Sequence, residues 1–120
     1  MNNTKKSIKI FLSYHRPTEL LKNSIFEPIH VGRDIANTKL SKYDFDWMSV
    51  NMIGDNTGNN ISSKNPNYCE LTAQYWAWKN CKDDYIGFMH YRRHLNFNLN
   101  KKFQENKFGL IDADYLNNFY

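Results

Sequence analysis

Along residues 7–14, Ile8, Ile10 and Leu12 recur at every second position, and Phe11 adds apolar surface to the other side. A two-residue period predicts a buried first strand. Pro17 follows at a position suited to the first turn of a helix, so Thr18 to Lys22 is expected to form a short one. Pro28 to Val31, closed by Gly32, reads as a second extended segment, whereas Asp34 to Tyr43 is poorly periodic. Trp47 to Ile53 is expected to be a third strand, running into a Gly/Asn-rich stretch, 54–60, that no regular element continues.

The best-defined helix is expected over Tyr68 to Asn80. Asn65 or Asn67 supplies the cap, Pro66 sits near its start, and Asn67 with Glu70 has the spacing of a capping box. Tyr68, Leu71, Tyr75 and Trp78 form one apolar stripe and Cys69, Ala73 and Trp76 the next, so this helix is expected to be mostly buried. Tyr85 to Arg92 then reads as a strand with apolar residues on both faces: Tyr85, Gly87, Met89 and Tyr91 on one, Ile86 and Phe88 with His90 and Arg92 on the other. Such a strand belongs in the middle of a parallel sheet covered on both sides. Gly87, lacking a side chain, is expected to mark a close approach. Residues 96–107 are polar and lysine-rich, and structure is expected to resume over Leu110 to Tyr120.

The chain has 120 residues, of which 41% are hydrophobic and 16% aromatic. This is too apolar for a disordered segment and long enough for one core, so residues 1–120 are read as a single domain with a basic tail over residues 1–6. Mean hydropathy is −0.75, which leaves much of the chain to polar loops. No apolar run approaches the roughly 18–20 residues of a membrane span, and Ile10 to Leu12 is too short for a secretory h-region. A cytoplasmic location is therefore expected. Cys69 and Cys81, without C-x-x-C spacing, suggest neither a disulfide framework nor a zinc site. Sixteen Lys and Arg against twelve Asp and Glu give a net charge of +4. The aromatic residues follow core periodicities rather than alternating with a basic stripe, which argues against nucleic acid as partner.

In parallel α/β sheets, ligands bind beyond the carboxyl ends of the strands where the strand order reverses. His90, Tyr91, Arg92, Arg93 and His94 cluster at one such end, and Tyr14, His15 and Arg16 at another. Paired guanidiniums match phosphate oxygens two at a time, so the first cluster suits a diphosphate and its aromatic a sugar or a base. Exposed charges ending a strand are the alternative. Asp112 and Asp114 form a D-x-D pair, which holds a divalent cation (Mn2+ or Mg2+) on a diphosphate in many nucleotide-sugar enzymes, but Asp also favours a helix start. The metal is possible and not favoured. No Walker loop, G-x-G-x-x-G, G-x-S-x-G or H-E-x-x-H is present.

The segments at 10–15 (IFLSYH), 27–33 (EPIHVGR), 53–62 (IGDNTGNNIS), 65–80 (NPNYCELTAQYWAWKN) and 84–93 (DYIGFMHYRR) resemble, in order, a family of bacterial surface-polysaccharide glycosyltransferases. That family was first catalogued as a domain of unknown function, and some members are regarded as galactofuranosyltransferases. The resemblance implies a GT-A-like nucleotide-sugar fold, a layered α/β sheet with flanking helices. It also implies a UDP-linked donor, a lipid-linked glycan acceptor in capsule, exopolysaccharide or O-antigen synthesis, and peripheral contact with the cytoplasmic face of the inner membrane. Carried over by motif, Tyr14 and His15 fall near the nucleotide, and His90, Tyr91, Arg92 and Arg93 near the diphosphate. Asp55, Asn56 and Asn60 fall in the neighbouring loop. With a basic corner where many such enzymes carry a D-x-D, arginine rather than metal is expected to offset phosphate charge. Family domains continue further, so the chain is expected to be the N-terminal part of one, incomplete at its C-terminus. A non-catalytic fragment or interaction module is the alternative.

Overall fold

The computed structural model describes residues 6–94. They form β1 (Ile8–Tyr14), β2 (Phe26–His30), a 3-10 turn (Arg33–Thr38), α1 (Lys42–Asn51) and β3 (Ile53–Gly54). A second 3-10 turn (Ser62–Lys64), α2 (Asn65–Tyr68), α3 (Leu71–Asn80) and β4 (Tyr85–His90) follow. The strands pair in parallel in the order β3-β2-β1-β4. The expected α/β layering is what the chain adopts. The expectations for 96–107, 110–120 and the Asp112–Asp114 pair lie outside the described residues.

The alternation read in the first strand is the reason it sits between two apolar layers. Ile10, Leu12 and Tyr14 face a cluster with Leu21, Phe26, Met48, Met52, Met89 and Tyr91. Phe11 faces the other way, with Ile29, Val31, Ala73 and Ala77. Helix α1 thus covers one face of the sheet and α3 the other. The Phe11 ring stacks on Phe88 at 6.1 Å and meets the edge of Trp76 at 5.9 Å. Each large side chain buried this way contributes roughly 1.5–3 kcal/mol.

Both faces of β4 are apolar as expected, with Met89 and Tyr91 in one cluster and Ile86 and Phe88 against the other. Its place differs. Among the described residues β4 lies at the end of the sheet and β1 and β2 lie inside, because β2 already occupies one edge of β1 and only the other is left. At Gly87 the close approach comes from the paired strand: a Cβ there would stand 3.3 Å from Ile10 Cγ1.

Three local expectations are corrected. Residues 18–22 form no helix. Instead the Tyr14 hydroxyl accepts from the Leu21 N–H at 3.1 Å and donates to the Glu19 carbonyl at 3.1 Å, taking over bonds a helix would make. Residues 47–51 are helical, and the third strand shrinks to Ile53–Gly54. Ser41 caps this helix by accepting from Asp44 N–H, and Met48 and Met52, four residues apart, are both buried while Val50 is exposed. Arg33 closes its other end, donating through Nη2 to the carbonyls of Met48 (3.1 Å) and Met52 (2.9 Å).

The third correction concerns the long helix, which breaks at Cys69 (φ 51°, ψ −132°) into α2 and α3. Asn65 Nδ2 donates to the Cys69 carbonyl at 2.8 Å, and Thr72 is drawn to Asp55, so the capping box does not form and Glu70 makes no side-chain cap. The buried side of α3 is its small one, Thr72, Ala73 and Ala77, which lets the backbone approach the sheet. Tyr68, Leu71 and Trp78 of the expected core stripe are exposed. No described helix is long and apolar enough to cross a membrane.

Candidate functional site

The strand order reverses between β1 and β4: β2 and β3 extend the sheet from one edge of β1, and β4 from the other. Beyond the carboxyl ends of these two strands lies an open cavity of about 540 Å3 lined by His15, Arg16, Glu70, His90, Tyr91, Arg92 and Arg93. This is where a parallel α/β sheet offers a ligand site. A second cavity of about 270 Å3 shares His15 and Arg16 and continues along His30, Gly32, Ile35, Lys39 and Asn65, among others.

Register builds the floor. Ser13 pairs with His90, and the Tyr91 N–H donates to the Ser13 carbonyl at 3.2 Å, so both strands end at the same level. Tyr14 and Tyr91 are buried beneath the site with rings stacked at 5.3 Å, and burial pushes the Tyr14 phenol up to about 12. Tyr91 also receives the edge of the His15 ring at 5.3 Å and the Arg16 guanidinium at 5.9 Å from its centroid. Beyond it the chain turns tightly, with Arg93 N–H donating to the His90 carbonyl at 3.0 Å, and leaves Arg92 and Arg93 exposed.

The electrostatics are one-sided. Arg16, Arg92 and Arg93 bring three guanidiniums to one wall, against the single carboxylate of Glu70. Ion pairs among the described residues are Lys9–Glu27 and Lys42–Asp46, and none of the three guanidiniums takes part in one. Burial lowers the pKa of His15, and the charges of Arg16, His90 and Arg92 add to that, opposed by Glu70. His90 is lowered too, by burial and by Arg93 and Arg92, again opposed by Glu70. Both imidazoles are therefore shifted towards the neutral form. The Arg92 N–H donates to His90 Nδ1 at 3.1 Å, which leaves the His90 proton on Nε2 as a donor. Guanidiniums and neutral imidazole donors suit phosphate oxygens. A hard divalent cation does not fit this wall, which offers one carboxylate among three positive charges. No group of three His, Cys, Asp or Glu side chains disposed for a metal occurs among the described residues.

Of the residues singled out in the sequence, His15, His90, Tyr91, Arg92 and Arg93 come together around this cavity. Tyr14 lies under it, without surface exposure. Asp55, Asn56 and Asn60 line neither cavity. Asp55 is fully buried, its carboxylate accepting from Gly32 N–H (2.8 Å), Arg33 N–H (3.2 Å), Ser62 Oγ (2.5 Å) and Thr72 Oγ1 (2.6 Å). Asn60 serves its own loop, bonding to the Gly58 carbonyl and the Ser62 N–H. The same loop is tied to α3, since Tyr75 donates to Asn59 and Trp76 to Thr57. Sequence reading did not assign Glu70 to the site. Its spacing marks it instead as the capping-box partner of Asn67, a role it does not take, and it lines the cavity directly after the break at Cys69.

A parallel sheet covered on both faces, with a cavity rich in arginine at its switch point, defines an α/β domain of the doubly covered class. The chain belongs to the family described as domain of unknown function DUF4422, whose match spans residues 9–118. Among solved structures it is similar to the apo structure of the bifunctional glycosyltransferase WbbM, at 46% identity and a TM-score of 0.68. That alignment covers 93% of this chain and 19% of the WbbM chain, so the chain spans a small part of that protein's length. No curated protein matches.

Proposed function

We propose that the chain is the nucleotide-sugar-binding region of a glycosyltransferase and that the arginine-histidine cavity holds the donor's diphosphate. The observation that carries this reading is the set of three guanidiniums, none in an ion pair among the described residues, at the switch point of a parallel sheet. The kinship with a bifunctional glycosyltransferase supports it. The adjoining cavity, walled by Val31, Ile35, Ala36 and Leu40 as well as polar groups, suits a nucleoside.

In such a transfer, the acceptor hydroxyl oxygen bonds to the anomeric carbon as the bond from that carbon to the diphosphate breaks. The electron pair leaves with the diphosphate, a general base takes the proton of the acceptor hydroxyl, and Arg16, Arg92 and Arg93 stabilise the charge that develops on the diphosphate. The family resemblance supports UDP as the nucleotide and a lipid-linked glycan acceptor in surface-polysaccharide assembly, at the cytoplasmic face of the membrane.

Isothermal titration of the purified chain with UDP and UDP-hexoses, with and without Mn2+, tests the reading. Charge-assisted hydrogen bonds contribute about 1.5–3 kcal/mol each, so Arg92→Ala and Arg93→Ala should each weaken binding by roughly tenfold or more. Mn2+ should make no difference. A folded chain that binds no nucleotide, or arginine variants that match the wild type, would sink it.

A further inference from the structure

Glu70 is the one carboxylate on the wall of the larger cavity, and nothing among the described residues uses it. It makes no helix cap, and no described cation lies within ion-pair distance. Yet the fold holds its backbone in place at a cost. Cys69, immediately before it, adopts φ 51°, ψ −132°, a conformation expensive for a residue with a side chain. That turn is held by Asn65, which donates to the Cys69 carbonyl at 2.8 Å and to Thr72 Oγ1 at 3.1 Å. Thr72 in turn donates to the buried Asp55. A chain of bonds from the core thus ends at the Cys69 carbonyl, in the peptide that leads into Glu70, whose charge is felt by both His15 and His90.

A carboxylate does not hold a diphosphate, since like charges repel. It accepts hydrogen bonds, and its two oxygens match two neighbouring hydroxyl groups of a neutral sugar. With three guanidiniums and the neutral histidines for the diphosphate, Glu70 fits the group attached to it. We propose that Glu70 accepts hydrogen bonds from hydroxyls of the sugar carried on a nucleoside diphosphate and so helps select which sugar the site admits. This rests on the nucleotide-sugar reading above.

The test compares titration of UDP, UDP-glucose, UDP-galactopyranose and UDP-galactofuranose into the wild type, Glu70→Gln and Glu70→Ala, with melting temperature as the check on folding. The wild type should bind at least one UDP-sugar more tightly than UDP. In Glu70→Ala that advantage should fall about tenfold or more, and in Glu70→Gln it should fall less, because the amide oxygen still accepts. Affinity for UDP itself should rise in both variants, since a negative charge leaves the wall. UDP binding with the sugar advantage absent from the wild type, or undiminished in both variants, overturns the role of Glu70 alone. Failure of UDP and every UDP-sugar to bind the folded wild type overturns the nucleotide-sugar reading and this one with it.

Discussion

Thr72 Oγ1 donates to Asp55 Oδ2 at 2.6 Å, joining the first turn of α3 to the loop that follows β3. The same carboxylate accepts from the backbone of Gly32 and Arg33 and from Ser62, so one buried group ties the connection after β2 to two segments of the connection after β3.

Asp55→Ala should therefore be among the most destabilising single changes in the chain. It strands buried donors that water cannot reach, each costing about 1–3 kcal/mol, and a total of about 3–5 kcal/mol is expected. Urea denaturation monitored by tryptophan fluorescence measures it. A loss under 1 kcal/mol would mean that the four bonds are not jointly maintained in solution.

Cys69→Gly should raise stability by about 1 kcal/mol, because glycine relieves the positive φ at that position (51°) by more than its extra unfolded-state freedom costs. The reverse holds at Gly32, where φ is 68° and an added Cβ would stand 2.7 Å from Asn65 Cγ. Gly32→Ala should cost at least 1–2 kcal/mol from backbone strain alone. Paired thermal melts decide both signs.

Stability should fall on acidification through His30. The ring is buried and accepts from Arg33 Nε at 3.1 Å through Nδ1, and burial next to Arg33 lowers its pKa to about 4. The unfolded chain, with an ordinary value of about 6.5, binds the proton first. The stabilisation from keeping His30 neutral is thus complete above pH 6.5 and is lost as pH falls from 6.5 towards 4, up to about 3 kcal/mol. His30→Gln should flatten that part of the pH–stability curve, and an unchanged slope between pH 7 and 5 would contradict the assignment.

Binding of a diphosphate should take up protons. In the free protein His15 and His90 are held below their ordinary range by burial and by the neighbouring arginines. A bound dianion offsets the arginine charge and raises both values, so affinity should increase as pH falls below about 6.5. Titration calorimetry at pH 6 in buffers of different ionisation enthalpy should show net uptake, reduced in His90→Ala. Equal heats in all buffers would show that neither imidazole faces the ligand.

Tyr14→Phe should cost about 1–3 kcal/mol, since it leaves the buried Leu21 N–H without its acceptor. Faster proteolysis within residues 15–25 would locate the loss in the β1–β2 connection, and cleavage elsewhere would point to a different role for the hydroxyl.

The order of residues alone was enough for strands over 8–14 and 85–90, the apolar character of both their faces, the parallel α/β layering and the basic cluster at their ends. Those features follow from local alternation and from apolar residues at consecutive positions, which the order of residues displays directly. What the tertiary structure decided rests on partners distant in the chain. Residues 47–51 became helix because Met48 and Met52 found the core on one side and Arg33 closed the last carbonyls. The helix expected over 68–80 broke at Cys69 because Asn65 and the Asp55–Thr72 bond outweighed a good local cap, and Glu70 lines the cavity directly after that break. Asp55, in a loop whose composition suggests solvent, is buried because four donors from other segments meet it there. A hydrogen bond spanning 17 or 23 residues leaves no period in the sequence, so it took the packed chain to bring those residues together.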